Sequence, residues 1–257
     1  FIAGLAAFHH RIRLGHVEAG LRTRDKYNPF PEEANRRLLS GIADLHFAPT
    51  ETARRNLRRE GIAEKSIFVT GNTSIDALLT VREQLLEKRI RSALPETLKS
   101  LRGRIILVTA HRRESFGEPL ENMCRALLDI VRRNSDVEVV YPVHLNPNVR
   151  TPVHKLLARK ERIHLIEPLD YVPFVELMGL SHIILTDSGG IQEEAPSLGK
   201  PVLVLRRKTE RTEAVRAGVA KLAGVERGNI VRQTQRLLDS RAEYARMVRS
   251  GNPFGYG

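Results

Sequence analysis

The chain has 257 residues and a formal net charge of +12 at pH 7, with 41% hydrophobic and 28% charged residues. This length and balance are typical of a globular protein with one large or two small domains, and no apolar run approaches the roughly 20 residues that a membrane-spanning helix needs. The single cysteine, Cys124, excludes a disulfide within the chain, favours a reducing, cytoplasmic location, and is predicted to be a small buried residue.

The positive charge leaves two interpretations open. Arginines cluster at Arg54–Arg59, at Arg132–Arg133 and beside Lys208, which is compatible with nucleic-acid binding. However, aromatic residues make up only 5% of the chain, tryptophan is absent, and no helix-turn-helix, zinc or ribonucleoprotein pattern occurs. We therefore favour a basic surface around a site for an anionic small molecule, with no nucleic-acid or membrane partner.

The first part of the chain alternates short strands with helices. Helices are predicted at residues 1–10, from Pro31 and at 51–59, and strands at 12–19, 45–49 and 66–70. Glu32 and Glu33 suit a helix N-terminus, because acidic side chains interact favourably with the helix dipole there. Thr50 is a typical capping residue for the helix that follows it.

From Ile75 to about Lys99 the pattern becomes helical and highly charged, ending near Pro95. We interpret this stretch as a helical connection between two domains.

A regular alternation follows. Strands are predicted at 104–109, 137–143, 163–167, 183–186, 202–205 and 219–222, and helices at 118–134, 149–159, 173–180, 189–198, 211–217, 228–239 and 239–249. This order predicts a parallel sheet with helices on both faces, in which ligands bind at the carboxyl ends of the strands. Residues 251–257 are predicted to be a disordered tail.

The segment from Asp187 to Pro201 predicts a strand, a tight turn and a helix. Gly189 and Gly190 allow a ligand to approach the backbone, and the free N–H groups of a first helical turn favour an anion such as phosphate. We place Glu193 and Glu194 in that first turn, where a carboxylate can accept hydrogen bonds from sugar hydroxyls. An ordinary glycine-rich turn of an α/β domain remains the alternative.

Other strand ends also carry polar residues. They lie at His16–Thr23, Thr109–Ser115, Pro142–Pro147 and Glu210–Glu213. Singly, each has a structural explanation, since a lone histidine such as His16 or His144 is more often a hydrogen-bonded structural residue than a catalyst.

Together these groups predict a nucleotide-sugar site. Arginine binds a diphosphate with two hydrogen bonds, and paired carboxylates can exchange protons with a carbon acid or a leaving group. The histidines and the cysteine lack metal-ligand spacing, and no dinucleotide or Walker motif occurs, so we expect neither a metal nor a cofactor.

Five ordered motifs carry a family resemblance: H-V-E-A-G-L-R-T, N-P-F-P-E-E-A-N-R, T-A-H-R-R-E-S-F-G, V-Y-P-V-H-L-N-P and T-D-S-G-G-I-Q-E-E-A. In this order the chain resembles the non-hydrolysing UDP-N-acetylglucosamine 2-epimerases over nearly its whole length. The resemblance implies an α/β fold with a GT-B-like pair of Rossmann-like domains built on parallel sheets. It places the first domain at 1–76, a helical connection at 77–100, the UDP-binding domain at 101–238, and a helix and tail at 239–257.

The resemblance also implies the chemistry: interconversion of UDP-GlcNAc and UDP-ManNAc by anti elimination of UDP to 2-acetamidoglucal and re-addition. Glu18, Glu32 and His111 match the catalytic residues of the family. The residues that match or adjoin its substrate contacts are Arg112, His144, Phe174, Ser188, Gly189, Gly190, Glu194 and Arg211. Among these, Ser188 matches a diphosphate contact, Glu194 a ribose contact and Phe174 a residue near the uracil, while Arg112 matches a position linked to a regulatory UDP-GlcNAc site.

Compared with the family, we expect this chain to be N-terminally truncated and its first domain incomplete, without the leading strands and a G-D-T loop that carries a catalytic aspartate. A hydrolysing relative that releases UDP and ManNAc, and a non-catalytic UDP-sugar-binding fragment, are the alternatives. The resemblance further implies a homodimer.

Overall fold

The computed structural model describes residues 1–254 and divides them into two compact units. The first unit comprises residues 1–76, 210–213 and 253–254, and the second comprises 77–209 and 214–252. The domain boundaries expected from the sequence remain a prediction. Among the described residues, no helix has the length and apolar character that crossing a membrane requires.

The first unit is a small α/β unit. It contains α1 (Ile2–His9), β1 (Gly15–Val17), α2 (Glu32–Ile42), β2 (Leu45–Ala48), α3 (Glu51–Arg59), β3 (Ile67–Val69) and the start of α4 (Thr73–Leu86). The strands form a parallel sheet in the order β1-β2-β3, with His16 opposite His46. A small core packs the sheet against α3 through Ala19, Ala48, Ala53, Leu57 and Ile67.

The local sequence predicts the start of α3 correctly but not the extent of β1. Thr50 caps α3 as predicted, because its hydroxyl accepts a 3.1 Å hydrogen bond from the Ala53 N–H. The buried strand predicted at 12–19 is wrong in length and burial: Ile12 is 62% exposed and Val17 is 64% exposed. Only the central residue of β1, His16, is buried, so one face of this strand is packed and the other is exposed.

The second unit has a larger sheet covered by helices. Its elements are the rest of α4, α5 (Glu96–Lys99), β4 (Arg104–Thr109), α6 (Glu118–Arg133), β5 (Val137–Pro142), α7 (Pro147–Leu157), β6 (Ile163–Ile166), α8 (Tyr171–Leu180), β7 (Ile183–Thr186), α9 (Gly189–Ser197), β8 (Val202–Val204), α10 (Thr212–Arg216, which begins in the first unit), β9 (Ala220–Leu222), α11 (Arg227–Asp239) and α12 (Arg241–Arg249). The strands are all parallel, in the order β6-β5-β4-β7-β8-β9, which confirms the predicted α/β class with parallel sheets.

This strand order creates a topological switch point between β4 and β7. From β4 the chain proceeds outward through β5 and β6, and then returns to place β7 on the other side of β4. Connections on the two sides leave in opposite directions, so the loops after β4 and β7 diverge and leave a crevice at the carboxyl ends of these strands. The polar segments after Thr109 and Thr186 lie at this point.

The core of the second unit follows from apolar periodicity. β4 and β7 are almost completely buried, as expected for central strands of a parallel sheet covered on both faces. The inner side of α6 buries Met123, Leu127 and Ile130 against this sheet. Cys124 lies in the same core and is buried, as predicted, and burial raises the pKa of its thiol to about 12.

Within the stretch from 75 to about 99 that was predicted to be helical, the structure has two separate helices, because α4 ends at Leu86 and α5 begins at Glu96. Lys88 has a φ of 57°, and its N–H donates to the Leu85 carbonyl while the Arg89 N–H donates to the Gln84 carbonyl. This pair of bonds is a Schellman ending, which usually has glycine at the left-handed position. Lysine at that position gives no stop signal in the sequence.

The end of the chain also differs from its prediction. Asn252 donates to the Glu193 carbonyl, and Phe254 is completely buried, so residues 251–254 are not a disordered tail. Residues 255–257 lie outside the described part.

Candidate active site

A buried carboxylate organises the switch point of the second unit. Asp187 follows β7 directly and is completely buried. Its Oδ2 accepts hydrogen bonds from the His111 N–H at 2.9 Å, the Arg112 N–H at 2.8 Å and the Ser115 hydroxyl at 3.2 Å. These bonds fix the loop after β4 against the end of β7, because a buried carboxylate must be satisfied by donors.

His111 lies at the open side of this loop. Its Nδ1 is 3.7 Å from Asp187 Oδ1, an oxygen without a hydrogen-bond partner among the described residues, and its ring stacks on His144 with 5.4 Å between centroids. Burial lowers the pKa of His111, and Asp187 opposes this effect while His144 and Arg112 reinforce it. The imidazole is therefore mainly neutral near pH 7 and has a carboxylate behind it, an arrangement suited to proton transfer.

His144 comes from the loop after β5 and is exposed. Its Nδ1 accepts a 3.1 Å hydrogen bond from the Asn146 N–H, so Nδ1 carries no proton and Nε2 is the donor of the neutral ring. The resemblance identified both histidines, but their stacking is visible only in the structure.

The turn after Asp187 leads directly into α9. Ser188 precedes α9, and its N–H donates to the Thr186 hydroxyl at 2.9 Å. A side chain at Gly190 would lie 4.0 Å from both the Ser188 hydroxyl and a Glu194 carboxylate oxygen, so this exposed glycine leaves open backbone between two polar groups. The first N–H groups of a helix lack acceptors within the helix and favour an anion here.

The two glutamates of α9 differ from the prediction. Neither lies in the first turn of the helix, since α9 begins at Gly189 and its first turn contains no acidic residue. Glu193 is only 1% exposed and so is not open to a ligand, whereas Glu194 is half-buried. Burial, reinforced by Glu193, raises the pKa of Glu194 to about 7.

An aromatic face lies close to Glu194. Tyr171 begins α8, and burial together with the Glu194 charge raises the pKa of its phenol to about 12. Phe174 follows one turn later and is half-buried. Residues three apart share a face of a helix, so Phe174 and Tyr171 lie on the same side of α8.

Two arginines, one partly exposed and one buried, lie beside this region. The backbone of Arg112 is fixed by Asp187, while its side chain is partly exposed. Arg206, after β8, is 3% exposed and forms a 2.7 Å ion pair with Glu114. The sequence interpretation treated Arg206 as part of a basic surface, and its burial was not predicted.

In the first unit, Glu18 lies at the end of β1 in an unusual conformation. Its φ of 63° is in the left-handed region, which costs a residue with a side chain of this kind about 1–3 kcal/mol. The next turn is fixed against β2 and α3: the Ala19 N–H donates to the Phe47 carbonyl of β2, and the Asn56 side chain of α3 donates to the Gly20 carbonyl. At Gly20 a side chain would lie only 2.2 Å from the Ala53 carbonyl oxygen, so close packing requires glycine.

This turn directs the Glu18 carboxylate to Arg211. Arg211 Nη2 donates to Glu18 Oε1 at 3.0 Å, and Arg211 Nη1 donates to Glu210 Oε1 at 3.0 Å. Arg211 and Glu210 are buried, whereas the Glu18 side chain is 43% exposed. Glu18 is thus held by an ion pair and remains open to a ligand.

Two residues of α2 lie in the same charged region. Arg36 is near Arg211, Glu210 and Glu18, and its pKa is lowered first by burial and then by repulsion from Arg211. Glu32 lies one turn before Arg36 on the same helix face and has a buried oxygen, Oε2, without a described partner. Arg36 was not predicted as a site residue, although it is the last residue of the motif N-P-F-P-E-E-A-N-R, and Glu210 was included only as part of the polar segment Glu210–Glu213.

Glu33 has a structural role. It is completely buried, and its carboxylate oxygens accept hydrogen bonds from the Thr23 and Arg24 N–H groups at 3.0 Å. These bonds fix the loop that follows Glu18 and leave Glu32 as the α2 carboxylate available for chemistry.

His16 and His46 form a buried pair beneath the charged region. They face each other across β1 and β2 with 6.4 Å between ring centroids, and His46 Nε2 is 3.0 Å from the Ser40 carbonyl. Burial, then the charges of His46 and Arg22, lower the pKa of His16 to about 4. This supports the structural interpretation of His16.

The structure therefore brings Glu18 and Arg211 together in the first unit, with Glu32 on the neighbouring helix. In the second unit it brings together His111, Arg112, His144, Ser188, Gly190 and Glu194. Within residues 1–254, no group of three His, Cys, Asp or Glu side chains is arranged to hold a metal ion.

Comparison with known proteins identifies the family. A family model for UDP-N-acetylglucosamine 2-epimerase matches residues 1–257. The UDP-N-acetylglucosamine 2-epimerase of Escherichia coli (strain K12) is 55% identical over 256 residues, which cover 98% of this chain and 68% of the relative.

Solved structures agree. The UDP-GlcNAc 2-epimerase from Neisseria meningitidis bound to UDP-GlcNAc is 49% identical, with a TM-score of 0.92 over 99% of this chain and 69% of the other. The UDP-GlcNAc 2-epimerase from Methanocaldococcus jannaschii in complex with UDP-GlcNAc and UDP is 35% identical, with a TM-score of 0.84 over 98% and 68% of the two chains. The chain belongs to the UDP-N-acetylglucosamine 2-epimerase family.

Proposed function

We propose that this protein interconverts UDP-GlcNAc and UDP-ManNAc by anti elimination of UDP and re-addition to the other face of the sugar. The observation that carries this proposal is the match of nearly the whole chain to named epimerases, one of them bound to UDP-GlcNAc. The polar groups at the strand ends have the chemistry that this reaction requires.

Glu18 and Glu32 are proposed to exchange protons at C2. In the elimination a carboxylate takes the C2 proton, the C–H electrons form the C1=C2 double bond of 2-acetamidoglucal, and the C1–O electrons leave with UDP. In the re-addition UDP attacks C1 and an acid returns a proton to the opposite face of C2. The ion pair with Arg211 holds the Glu18 carboxylate in a fixed position, and a general base must be positioned beside the proton that it takes.

His111 is proposed as a further proton-transfer group. Its lowered pKa leaves it neutral near pH 7, so that one ring nitrogen accepts a proton while the other donates. The adjacent Asp187 orients the ring and stabilises the imidazolium that forms when the ring accepts a proton.

The second unit is proposed to hold UDP. Ser188 and the backbone of Gly189 and Gly190 at the start of α9 suit the diphosphate, and Glu194 suits the ribose hydroxyls. Phe174 is assigned to the uracil by resemblance, and Arg112, His144 and Arg211 are assigned to substrate binding.

The test is proton NMR of UDP-GlcNAc incubated with the protein in D2O. UDP-ManNAc with deuterium at C2 is the expected product. Free ManNAc with UDP would instead identify a hydrolase, and UDP binding without any turnover would identify a UDP-sugar-binding protein. Salt-sensitive DNA binding that UDP does not compete would favour a nucleic-acid function.

Substitution tests the proton-transfer roles. Glu18→Gln should lower turnover at least ~100-fold, the scale of general acid–base catalysis, with UDP still bound. The exposed Glu51→Gln serves as the matched control. Turnover of Glu18→Gln within a few fold of the parent rate would remove Glu18 from the mechanism.

We also propose a homodimer in the cytoplasm, with the two-domain division given above. The support is the family resemblance, and sedimentation velocity at several protein concentrations tests the oligomeric state.

A further inference from the structure

The charged region of the first unit contains a buried donor without an acceptor. Arg36 Nη1 is inaccessible to solvent and has no hydrogen-bond partner among the described residues. A buried polar group that is left unpaired destabilises the fold, and more so when it is charged. Such a group in a native fold requires an explanation, and an absent ligand is one.

The guanidinium of the neighbouring Arg211 already has hydrogen-bond partners. Arg211 uses both terminal nitrogens for Glu18 and Glu210, so its fork already binds carboxylates. Arg36 lies near the same three residues, yet no carboxylate accepts from its Nη1. A ligand anion that reaches this region therefore finds Arg36 as a cation with an open donor.

A second buried polar atom without a hydrogen-bond partner lies on the same face of α2. Glu32 Oε2 is buried without a partner, one helical turn before Arg36. An unpaired acceptor and an unpaired donor on one helix face fit a ligand that offers a proton to the carboxylate and an oxygen to the guanidinium. The substrate of the proposed elimination supplies both, at C2–H and at the phosphoryl oxygen on C1.

We propose that Arg36 is a further substrate-contacting residue, whose free N–H donates to the phosphoryl oxygen that departs with UDP; this rests on the function proposed above. As the C1–O bond breaks, its electron pair remains on that oxygen, and a fixed guanidinium stabilises the added charge without a proton transfer. On re-addition the same contact releases the oxygen to C1.

The first measurement is UDP affinity by calorimetry, because UDP carries the proposed oxygen and its binding does not depend on turnover. Arg36→Ala should weaken UDP binding tenfold or more, in keeping with about 1.5–3 kcal/mol for a hydrogen bond to a charged group, and leave uridine binding unchanged. Arg36→Lys should restore part of the loss. Arg37→Ala, an exposed arginine next in the helix, is the matched control and should bind like the parent.

Turnover gives a second readout. Arg36→Ala should lower the epimerisation rate about 100-fold, and millimolar guanidinium should recover part of it by filling the vacated space, which a purely structural role does not predict. Unchanged UDP affinity in Arg36→Ala, or equal losses for UDP and uridine, would overturn the proposal.

These outcomes separate the two proposals. A parent protein that binds UDP but does not epimerise UDP-GlcNAc disproves the function, while the affinity series still decides the role of Arg36. A parent that does not bind UDP disproves both.

Discussion

Neutral donors stabilise the buried Asp187 of the second unit, whereas an arginine stabilises Glu18 and Glu210 of the first unit. Asp187 accepts hydrogen bonds from two backbone N–H groups and a hydroxyl, all from the loop after β4. Glu18 and Glu210 share Arg211 instead. A carboxylate fixed by backbone donors belongs to the fold, while one in a partly exposed ion pair remains free to change partner.

The hydrophobic cores of the two units also differ. The second unit packs large aliphatic residues on a six-stranded sheet, whereas the small core of the first unit is mainly alanine with Leu57 and Ile67. The first unit should therefore be the more easily perturbed.

Core truncation gives the largest expected effect. Ile106→Ala in β4 removes a completely buried side chain from a crowded core and should lower the free energy of unfolding by about 4–5 kcal/mol; Leu57→Ala, whose neighbours are small, should cost about 2–3 kcal/mol. Urea unfolding followed by circular dichroism measures both. Equal losses would contradict the difference between the cores.

Substitution of Asp187 and of Glu18 should give the next largest effects. The two stability losses should differ between the units. Asp187→Ala leaves three donors without an acceptor and should cost about 3 kcal/mol of stability, while Asp187→Asn keeps an acceptor oxygen and should cost about half as much. Glu18→Gln breaks a half-exposed ion pair and should cost less than about 1 kcal/mol. A stability loss for Glu18→Gln as large as that for Asp187→Ala would make Glu18 structural.

Acid should then affect the first unit through His16. Its pKa is lowered to about 4 in the folded protein from 6.5, so the unfolded chain binds the proton first and stability is lost as the pH falls from 6.5 through about 4. The slope is at most ~1.4 kcal/mol per pH unit in this window. His16→Gln should flatten it and the exposed His154→Gln should not; equal slopes in the parent and His16→Gln would contradict the burial argument.

In the second unit, the pH dependence of stability that arises from Glu194 should have the opposite sign. Its pKa is raised from 4.5 to about 7, so the folded state keeps the proton longer, and its contribution to stability is lost as the pH rises from about 4.5 through 7. For the proposed ribose contact the carboxylate must be ionised, so UDP-GlcNAc affinity should rise about tenfold between pH 6 and pH 8.

UDP-GlcNAc is the suitable probe for this experiment, because its diphosphate does not titrate in this range. Calorimetry at several pH values measures the effect, and Glu194→Gln should bind with little pH dependence. An affinity that falls as the pH rises would exclude a ribose contact through the carboxylate.

The sequence by itself determined the class of the fold and the loops that carry polar groups. Buried strands such as Ile183–Thr186 are continuous apolar runs, and turns such as Ser188–Gly190 need glycine, so both can be read locally. The five ordered motifs likewise indicated the family. Where a local signal was absent, no helix end was predicted, as at Lys88, which follows α4 in a position that glycine usually occupies.

Only the tertiary structure decided which polar groups meet and in what charge state. Glu18 and Arg211 are 193 positions apart in the chain, and His111 and Asp187 are 76 apart, so no local pattern records their contacts. Burial depends on packing from several elements at once, and for that reason the raised pKa of Glu194, the lowered pKa of His16 and the unpaired donor of Arg36 emerge only when the chain is folded.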